Sequence, residues 1–346
     1  MKKVIPVFML LIITALISVS CKSIPPVDKV PEALREPISK ADAARQRAID
    51  FESPAYFPSE WEAAEAQYNV AKEMPRSNNA EIQLAVTAYN SAAESYDAIF
   101  RKTVPLYAQA REDEILAARE KLISTGFTEY FPDYLESADK ITLTALDQYE
   151  ANEYYKARET AAKALNEYET LLLGADVYLA RQEVIDRGFS KYDEDNFSKA
   201  DEVAETAIKE YEAGNKEIAV ETAQEALLRY NLVLSNAWSA YSVERQISAG
   251  RERELALDEK ANIASRDLFR EADAIYNEAG ANLTKQNFQE AAIQYIDAEA
   301  MFALSRKDTA ERRQKAEAAI RIADEKIEES GESGSEAERL IEGGSR

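Results

Sequence analysis

The sequence predicts an all-α protein in which antiparallel helical hairpins form an array of about four degenerate repeats, either an α-solenoid or an elongated helical bundle. Two observations predict this fold class: the composition, and a pattern of small and aromatic residues that recurs along the chain. Of 346 residues only 10 are Gly and 10 are Pro, too few for the many tight turns of an all-β chain. Charged residues make up 31% and hydrophobic residues 46%, as in folded proteins, and helix formers dominate long stretches.

Each repeat begins with a short signature, in which a large apolar residue is followed three positions later by Ala and then by an acid. The four signatures are Trp61–Glu65, Leu135–Asp139, Phe197–Asp201 and Phe269–Asp273. They start 74, 62 and 72 residues apart, which indicates four copies of one unit. A further alanine lies ten residues after the start of each signature: Ala71, Ala145, Ala207 and Ala279.

A second block starts 22 residues after the signature in three copies and 24 residues after it in the first. It contains small and aromatic residues at i, i+4, i+7 and i+11, which is one face of an α-helix. The alanines let a neighbouring helix approach to the lower end of about 8–10 Å, and the last aromatic residue fills the wider gap. The four blocks are Ala85, Tyr89, Ala92, Tyr96; Ala157, Ala161, Ala164, Tyr168; Ala219, Ala223, Ala226, Tyr230; and Ala291, Tyr295, Ala298, Phe302.

Turn residues separate the two helices of each copy. Gly and Asn tolerate the left-handed conformation that ends a helix, so each copy is predicted to be a hairpin. The turns are Pro75–Asn79, Glu150–Asn152, Ala213–Asn215 and Lys285–Asn287. Because no proline interrupts residues 153–187, each period holds either a hairpin plus a third helix, or one short and one overlong helix; Pro105 is expected to break or kink the equivalent segment of the first copy.

A shared loop precedes the signature in three copies. It runs over Ser53–Pro58, Gly126–Pro132 and Gly188–Tyr192. The fourth copy is expected to lack this loop, since residues 258–264 read as continuous helix.

The second helix of each copy, with its turn, resembles the tetratricopeptide repeat, in which a Gly-Asp or Gly-Asn turn precedes Ala and Ala-Leu. Gly214-Asn215, Ala219 and Ala226-Leu227 match that pattern. The resemblance implies a tetratricopeptide-like α-solenoid that acts in protein–protein interaction. It covers about half of each copy, and the period of 62–74 residues departs from the 34 residues of that family.

The N-terminus has the order of an export signal: Lys2 and Lys3, an almost wholly apolar segment from Val4 to Val19, and then Cys21. Cys21 is the only cysteine, which excludes an internal disulfide. The alternative is an uncleaved transmembrane anchor, although the apolar stretch is slightly short of the usual ~20 residues.

A lone cysteine at the end of such a segment resembles the lipobox of bacterial lipoproteins, in particular the relaxed lipoboxes of spirochaetes. The family usually has Leu three residues before the cysteine, whereas this chain has Ser18. The resemblance implies that Cys21 carries a lipid, and that the protein is anchored to a bacterial membrane in the cell envelope, at the periplasmic face or in the outer membrane.

These patterns divide the chain into four parts. We predict a signal peptide (residues 1–20), a lipidated N-terminus with a Pro-rich tether (21–40), a helical repeat domain (41–329) and a disordered, Gly-, Ser- and Glu-rich tail (330–346). The four copies within the repeat domain span approximately 41–110, 111–180, 181–242 and 243–329.

The composition also excludes several kinds of chemistry. The chain has no histidine, which excludes Ser-His-Asp and Cys-His catalysis, whereas catalysis by carboxylates alone remains possible. A net charge of −22 without a basic cluster argues against nucleic-acid binding. We predict no catalytic, cofactor-binding or metal-binding residues.

Many of the 18 tyrosines fall on the repeat pattern or in the shared loop and are expected to be core residues. Four aromatic residues off that pattern are predicted as a possible interface, because aromatic side chains often anchor interfaces: Trp238, Tyr241, Tyr178 and Tyr107.

Three functions fit these features. The first is a non-enzymatic, lipid-anchored envelope scaffold that binds an envelope protein or peptide. The alternatives are a solute-binding accessory lipoprotein of a transport system and a passive structural spacer. A polar central cavity would favour solute binding, a shallow apolar groove would favour the scaffold, and a straight rod without a groove would favour the spacer.

Overall fold

The computed structural model describes residues 30–343, with side chains described for residues 30–340. All regular structure in this part of the chain is helical, so the predicted all-α fold class is confirmed. The predicted signal peptide, Cys21 and the tether up to residue 29 lie outside the described residues. None of the helices between residues 30 and 343 is long and apolar enough to span a membrane.

The described residues form twelve α-helices and one 3₁₀ helix. In chain order they are α1 (Glu32–Asp50), α2 (Ser53–Tyr56), α3 (Pro58–Glu73), α4 (Asn79–Ser124), α5 (Phe127–Tyr130), α6 (Pro132–Glu150), α7 (Tyr154–Asp186), the 3₁₀ helix (Phe189–Tyr192), α8 (Glu194–Glu212), α9 (Lys216–Asp258), α10 (Ala261–Ala264), α11 (Arg266–Thr284) and α12 (Phe288–Gly343).

Every copy contains the same three helical parts. A four-residue helix leads into a helix of 16 or 19 residues, and after the turn comes a long helix of 33 to 56 residues. The alternative of one short and one overlong helix is therefore correct, and there is no separate third helix after the hairpin. The expected break at Pro105 does not occur: α4 runs through it, with the neighbouring side chains of Val104 and Tyr107 buried.

Residues with positive φ fix both turns of the repeat. Asn152, Gly214 and Gln286 have φ of 60°, 82° and 64° in the turn of copies two to four. The loop before the signature is present in all four copies, which corrects the expectation for the fourth. Its left-handed residues are Glu52, Gly126, Gly188 and Lys260, with φ of 62°, 73°, 65° and 66°.

The helical body begins before the predicted boundary at residue 41. Helix α1 starts at Glu32 and contains Pro37, so residues 32–40 are helical rather than an extended tether. The physical reason is a buried stripe with helical spacing along α1, which stabilises the helix despite the proline. The stripe consists of Leu34, Pro37, Ala41, Ala44 and Ala48.

The C-terminal segment also differs from the prediction of a disordered tail. Helix α12 continues to Gly343, and its side chains from residue 310 to 340 are exposed apart from the half-buried Ala318. This part of α12 has few buried contacts. Its helical conformation depends on the high propensity of its Glu, Ala, Lys and Arg residues.

The chain divides into two compact units, of which the first comprises Met1–Ala117 and Lys140–Ala164 and the second Ala118–Asp139 and Leu165–Arg346. In the first unit α1, α3 and α4 share a core of alanines and tyrosines. In the second unit α8 packs along α9, α11 packs along α12, and α12 also packs along α9.

The predicted alanine face is confirmed as the packing face of the hairpins. Of the sixteen block positions, fourteen are buried. Ala161 and Ala223, which occupy the second block position in copies two and three, are only half-buried. Both alanines line open grooves within their hairpins, which leaves them partly accessible.

Candidate functional site

An Arg–carboxylate pair recurs in every copy and positions the first hairpin helix against the helix that precedes the loop. Arginine Nε donates to the acid that ends the signature, always 20 residues later. The pairs and their distances are Arg45–Glu65 (2.6 Å), Arg119–Asp139 (2.7 Å), Arg181–Asp201 (2.9 Å) and Arg253–Asp273 (2.6 Å). No sequence pattern singled out the arginines, although their constant separation from the acid is a signal that could have identified them.

A tyrosine hydroxyl completes three of these pairs. Tyr96, Tyr168 and Tyr230, the last residues of their blocks, donate to the same carboxylates. The fourth copy has Phe302 at this position. Each complete triad therefore links three helical segments through one carboxylate, and its role is structural.

The triads around Glu65 and Asp139 lower the pKa values of these two acids. The Arg119 guanidinium bonded to Asp139 holds the pKa of that carboxyl below its ordinary value, and the Tyr168 hydroxyl acts in the same direction. Burial acts to raise the pKa of Glu65, but the hydrogen bonds from Arg45 and Tyr96 outweigh burial and leave this pKa lowered.

Two open apolar grooves lie within the hairpins of the central copies. The second-copy groove lies in the first unit between α4, α6 and α7, has a volume of about 320 Å³, and includes Phe51 after α1. The third-copy groove lies in the second unit between α7, α8 and α9, has a volume of about 150 Å³, and includes Phe127 and Phe131.

The two grooves are formed by equivalent residues, 62 positions apart in the chain. The hairpin of the second copy contributes Thr142, Ala145, Leu146, Tyr149, Ala157 and Ala161. The hairpin of the third copy contributes Ala204, Ala207, Ile208, Tyr211, Ala219 and Ala223. The grooves are thus a property of the repeat and not isolated packing defects.

In the first and fourth copies a pair of tyrosines occupies the equivalent space. Tyr68 and Tyr89 stand at the positions of Thr142 and Ala161, with their ring centroids 5.8 Å apart. In the fourth copy the equivalent rings of Tyr276 and Tyr295 are 5.2 Å apart.

The alanines that surround each tyrosine pair form a buried framework, and the equivalent alanines of the open grooves are buried as well. Around the tyrosine pairs these framework residues are Ala71, Ala85, Ala279 and Ala291. The central copies keep this framework and replace the tyrosine pair with Thr142 and Ala161, or with Ala204 and Ala223. The grooves exist because of those small side chains, which also explains why Ala161 and Ala223 are not fully buried.

A buried carboxylate holds the third-copy groove together. The side chain of Glu167 on α7 is only 4% exposed. It accepts hydrogen bonds from the Tyr211 hydroxyl at the end of α8 and from the Lys216 ammonium at the start of α9. Burial raises the pKa of Tyr211, and the hydrogen bond to Glu167 adds to this effect. Both partners are required because an unpaired buried charge is strongly destabilising.

The four aromatic residues predicted as an interface have different environments. Tyr107, 8% exposed, lines the second-copy groove, and the half-buried Tyr178 lines the third-copy groove. Trp238 is also 8% exposed and packs edge-on against Phe189 at 4.9 Å.

Tyr241 packs on Phe189 as well, at 5.6 Å. Trp238 and Tyr241 border neither of the two grooves. Trp238 is a core residue rather than an exposed anchor, because its indole ring covers the loop before the third signature.

The lining of both grooves is mainly apolar. Their walls are aliphatic and aromatic, which suits the burial of apolar groups. Within residues 30–340, no group of three or more Cys, Asp or Glu side chains is placed to hold a metal ion.

Comparisons with protein-family models, with curated proteins and with solved structures find no match to this chain.

Proposed function

We propose that this chain is a non-enzymatic protein of the bacterial cell envelope, anchored through a lipid on Cys21, whose helical repeats bind partner proteins. The observation that carries the proposal is the absence of the tyrosine pair in the two central copies. The same framework is filled in the outer copies and open in the central ones, so the central grooves are available to side chains from another protein.

The form of the grooves favours a protein partner over a transported solute. Small-molecule pockets usually enclose about 300–1,000 Å³ and bury most of the ligand. The second-copy groove, at about 320 Å³, lies at the lower limit, and the third, at about 150 Å³, lies below it. Both are open on one side and lined mainly by apolar groups, which suits protruding side chains of a partner.

Filling the grooves tests the proposal. One variant combines Thr142→Tyr with Ala161→Tyr, and a second combines Ala204→Tyr with Ala223→Tyr. Both should fold, because tyrosine pairs occupy these positions in the first and fourth copies. We expect the filled variants, crosslinked in intact cells and purified, to recover the specific partners of the native chain at least about tenfold less well, as expected for loss of a binding hot spot.

A matched control places two tyrosines on the exposed face of α9, at Leu228 and Ile247, which are 70% and 68% exposed. This variant should recover the same partners as the native chain. Equal recovery by the control and by both filled variants would refute the proposal that the grooves bind partners.

The anchoring part of the proposal has its own test. Cys21→Ala removes the only thiol that can carry the lipid, and one or more acyl chains provide most of the membrane affinity of such an anchor. We expect the native chain in the membrane fraction and the variant largely released from it after cell disruption. A variant that remains in the membrane fraction would contradict lipid anchoring at Cys21.

A further inference from the structure

The second-copy groove has arginine side chains in its wall, although the chain is strongly acidic. Its lining includes two arginines, Arg111 and Arg158, and one acid, Glu112, whereas the whole chain has a net charge of −22. Arginine side chains in the wall of a groove favour an anionic group in the ligand.

Both arginines lie against aromatic walls of the groove and keep hydrogen-bonding capacity. The guanidinium of Arg111 lies 5.2 Å from the ring centre of Tyr107. Its Nη1 donates to Glu114 at 2.8 Å, and its Nε has no hydrogen-bond partner among the described residues. A guanidinium has five N–H donors, so a ligand carboxylate can pair with Arg111 after a small side-chain movement.

Arg158 is the more accessible of the two. Its guanidinium lies 5.9 Å from the ring centre of Phe51, and its side chain is exposed. No ion pair joins it to an acid within residues 30–340. The two cations therefore flank the apolar space without being neutralised in full.

The third-copy groove lacks this feature and serves as an internal control. The arginine in its lining is Arg181, which belongs to a triad and donates to Asp201 at 2.9 and 3.3 Å. Its volume of about 150 Å³ equals that of an apolar cavity that accommodates one benzene ring. The second-copy groove has about twice that volume.

We propose that the second-copy groove binds aromatic side chains of a partner protein that carries a carboxylate beside the ring, with the ring in the space that a tyrosine pair fills elsewhere and the carboxylate on Arg111 and Arg158. This inference rests on the proposed function and names the chemistry of the partner. The third-copy groove takes a single aromatic ring without preference for charge.

Two small probes of the same shape test the inference. One is 3-(4-hydroxyphenyl)propionate, which joins a tyrosine side chain to a carboxylate, and the other is its neutral amide. Titration into the full chain, followed by NMR, should give about tenfold tighter binding of the carboxylate at the second-copy groove, as expected for one charge-assisted hydrogen bond. This difference should fall as salt is added.

Three variants locate the effect. The double variant Arg111→Gln with Arg158→Gln should bind both probes equally and keep the affinity for the amide. The variant filled at Thr142 and Ala161 retains only the third-copy groove, so it should bind the carboxylate probe and the amide with equal affinity. The variant filled in both copies should bind neither probe.

Equal affinity of the native chain for the two probes, or an unchanged preference after substitution of both arginines, would overturn the inference while leaving the groove proposal intact. If the amide bound equally well to the native chain and to the variant filled in both copies, the grooves would not be where the aromatic ring binds. Loss of partner recovery on filling the grooves is a separate measurement, so failure of the proposed function is distinguishable from either result.

Discussion

At the scale of single residues, three of the four copies are stabilised by one carboxylate that three helical segments share. The acid of the signature and the aromatic residue that ends the block were both evident in the sequence, but their hydrogen bond was not. The arginine 20 residues upstream was missed because it lies on the helix before the loop, outside the signature and the block, where no alanine or aromatic pattern marks it. Its pairing with the acid depends on how the helices pack, which a linear pattern does not show.

If the tyrosine hydroxyl of a triad stabilises the chain, removing it in the third copy and adding it in the fourth should change the free energy of unfolding in opposite directions. Tyr230→Phe removes the hydroxyl that donates to Asp201 and should lower the free energy of unfolding by about 1–2 kcal/mol. Phe302→Tyr supplies the missing hydroxyl near Asp273 and should leave that free energy unchanged or raise it by about 1 kcal/mol. Urea unfolding followed by circular dichroism measures both; equal losses in the two variants would contradict the shared-carboxylate interpretation.

The lowered pKa of Asp139 predicts that the free energy of unfolding depends on pH. Because its pKa is lower in the folded chain than in the unfolded chain, the unfolded chain binds more protons as the pH falls. The contribution of Asp139 is therefore fully present above about pH 4, the ordinary range for aspartate, and is lost as the pH falls through the folded value.

Asp139→Asn should accordingly destabilise the chain more at pH 7 than at pH 3, and Arg119→Gln should behave in the same way because it removes the main cause of the lowered pKa. Urea unfolding at the two pH values gives the comparison. A destabilisation by Asp139→Asn that is the same at pH 3 as at pH 7 would contradict this account.

At the scale of helices and turns, glycine serves two different purposes. Gly214 has a φ of 82° and open space around the position of a Cβ atom, so it is required only for its backbone conformation. Gly174 lies inside α7, where an added Cβ would make ordinary contact with the Phe127 ring at 3.8 Å. A glycine in a helix interior costs about 1 kcal/mol relative to alanine.

Substitution by alanine should therefore have opposite signs at these two sites. We expect Gly214→Ala to lower the free energy of unfolding by about 1 kcal/mol, and Gly174→Ala to raise it by about 0.5–1 kcal/mol. Thermal and urea unfolding of the two variants give the measurement. Stabilisation by Gly214→Ala would show that the left-handed turn is not required.

The sequence predicted most helices but not all of their boundaries. Gly126 and Gly188 identified the loop before the signature in their copies, whereas Lys260 adopts the same left-handed conformation without any residue type that signals it. Pro37 suggested an extended tether, yet buried neighbours on α1 keep it helical. In both cases tertiary packing determined the conformation against the local preference of the residue.

At the scale of the whole molecule, the outer copies have a tyrosine pair where the central copies have small residues and an open groove. The block alignment already placed Ala161 and Ala223 beside Tyr89 and Tyr295, so the variation was visible in the sequence. The sequence did not show that this variation opens a groove. The second residue of the pair lies seven positions after the start of each signature, and it becomes adjacent to the block residue only when the hairpin folds. The open grooves, and the arginines on one of them, therefore required the structure.

Photo-crosslinking from inside the grooves tests the central claim most directly. Leu146 and Ile208 line the two grooves and are 48% exposed each, and Ile293, 44% exposed, lies outside both. A diazirine-bearing amino acid would replace each residue in turn in intact cells. We predict specific crosslinked proteins from positions 146 and 208, absent when the tyrosine pairs fill the grooves, and none from position 293. The same products from position 293, or products unaffected by filling, would contradict the claim that the central copies bind a partner through their open grooves.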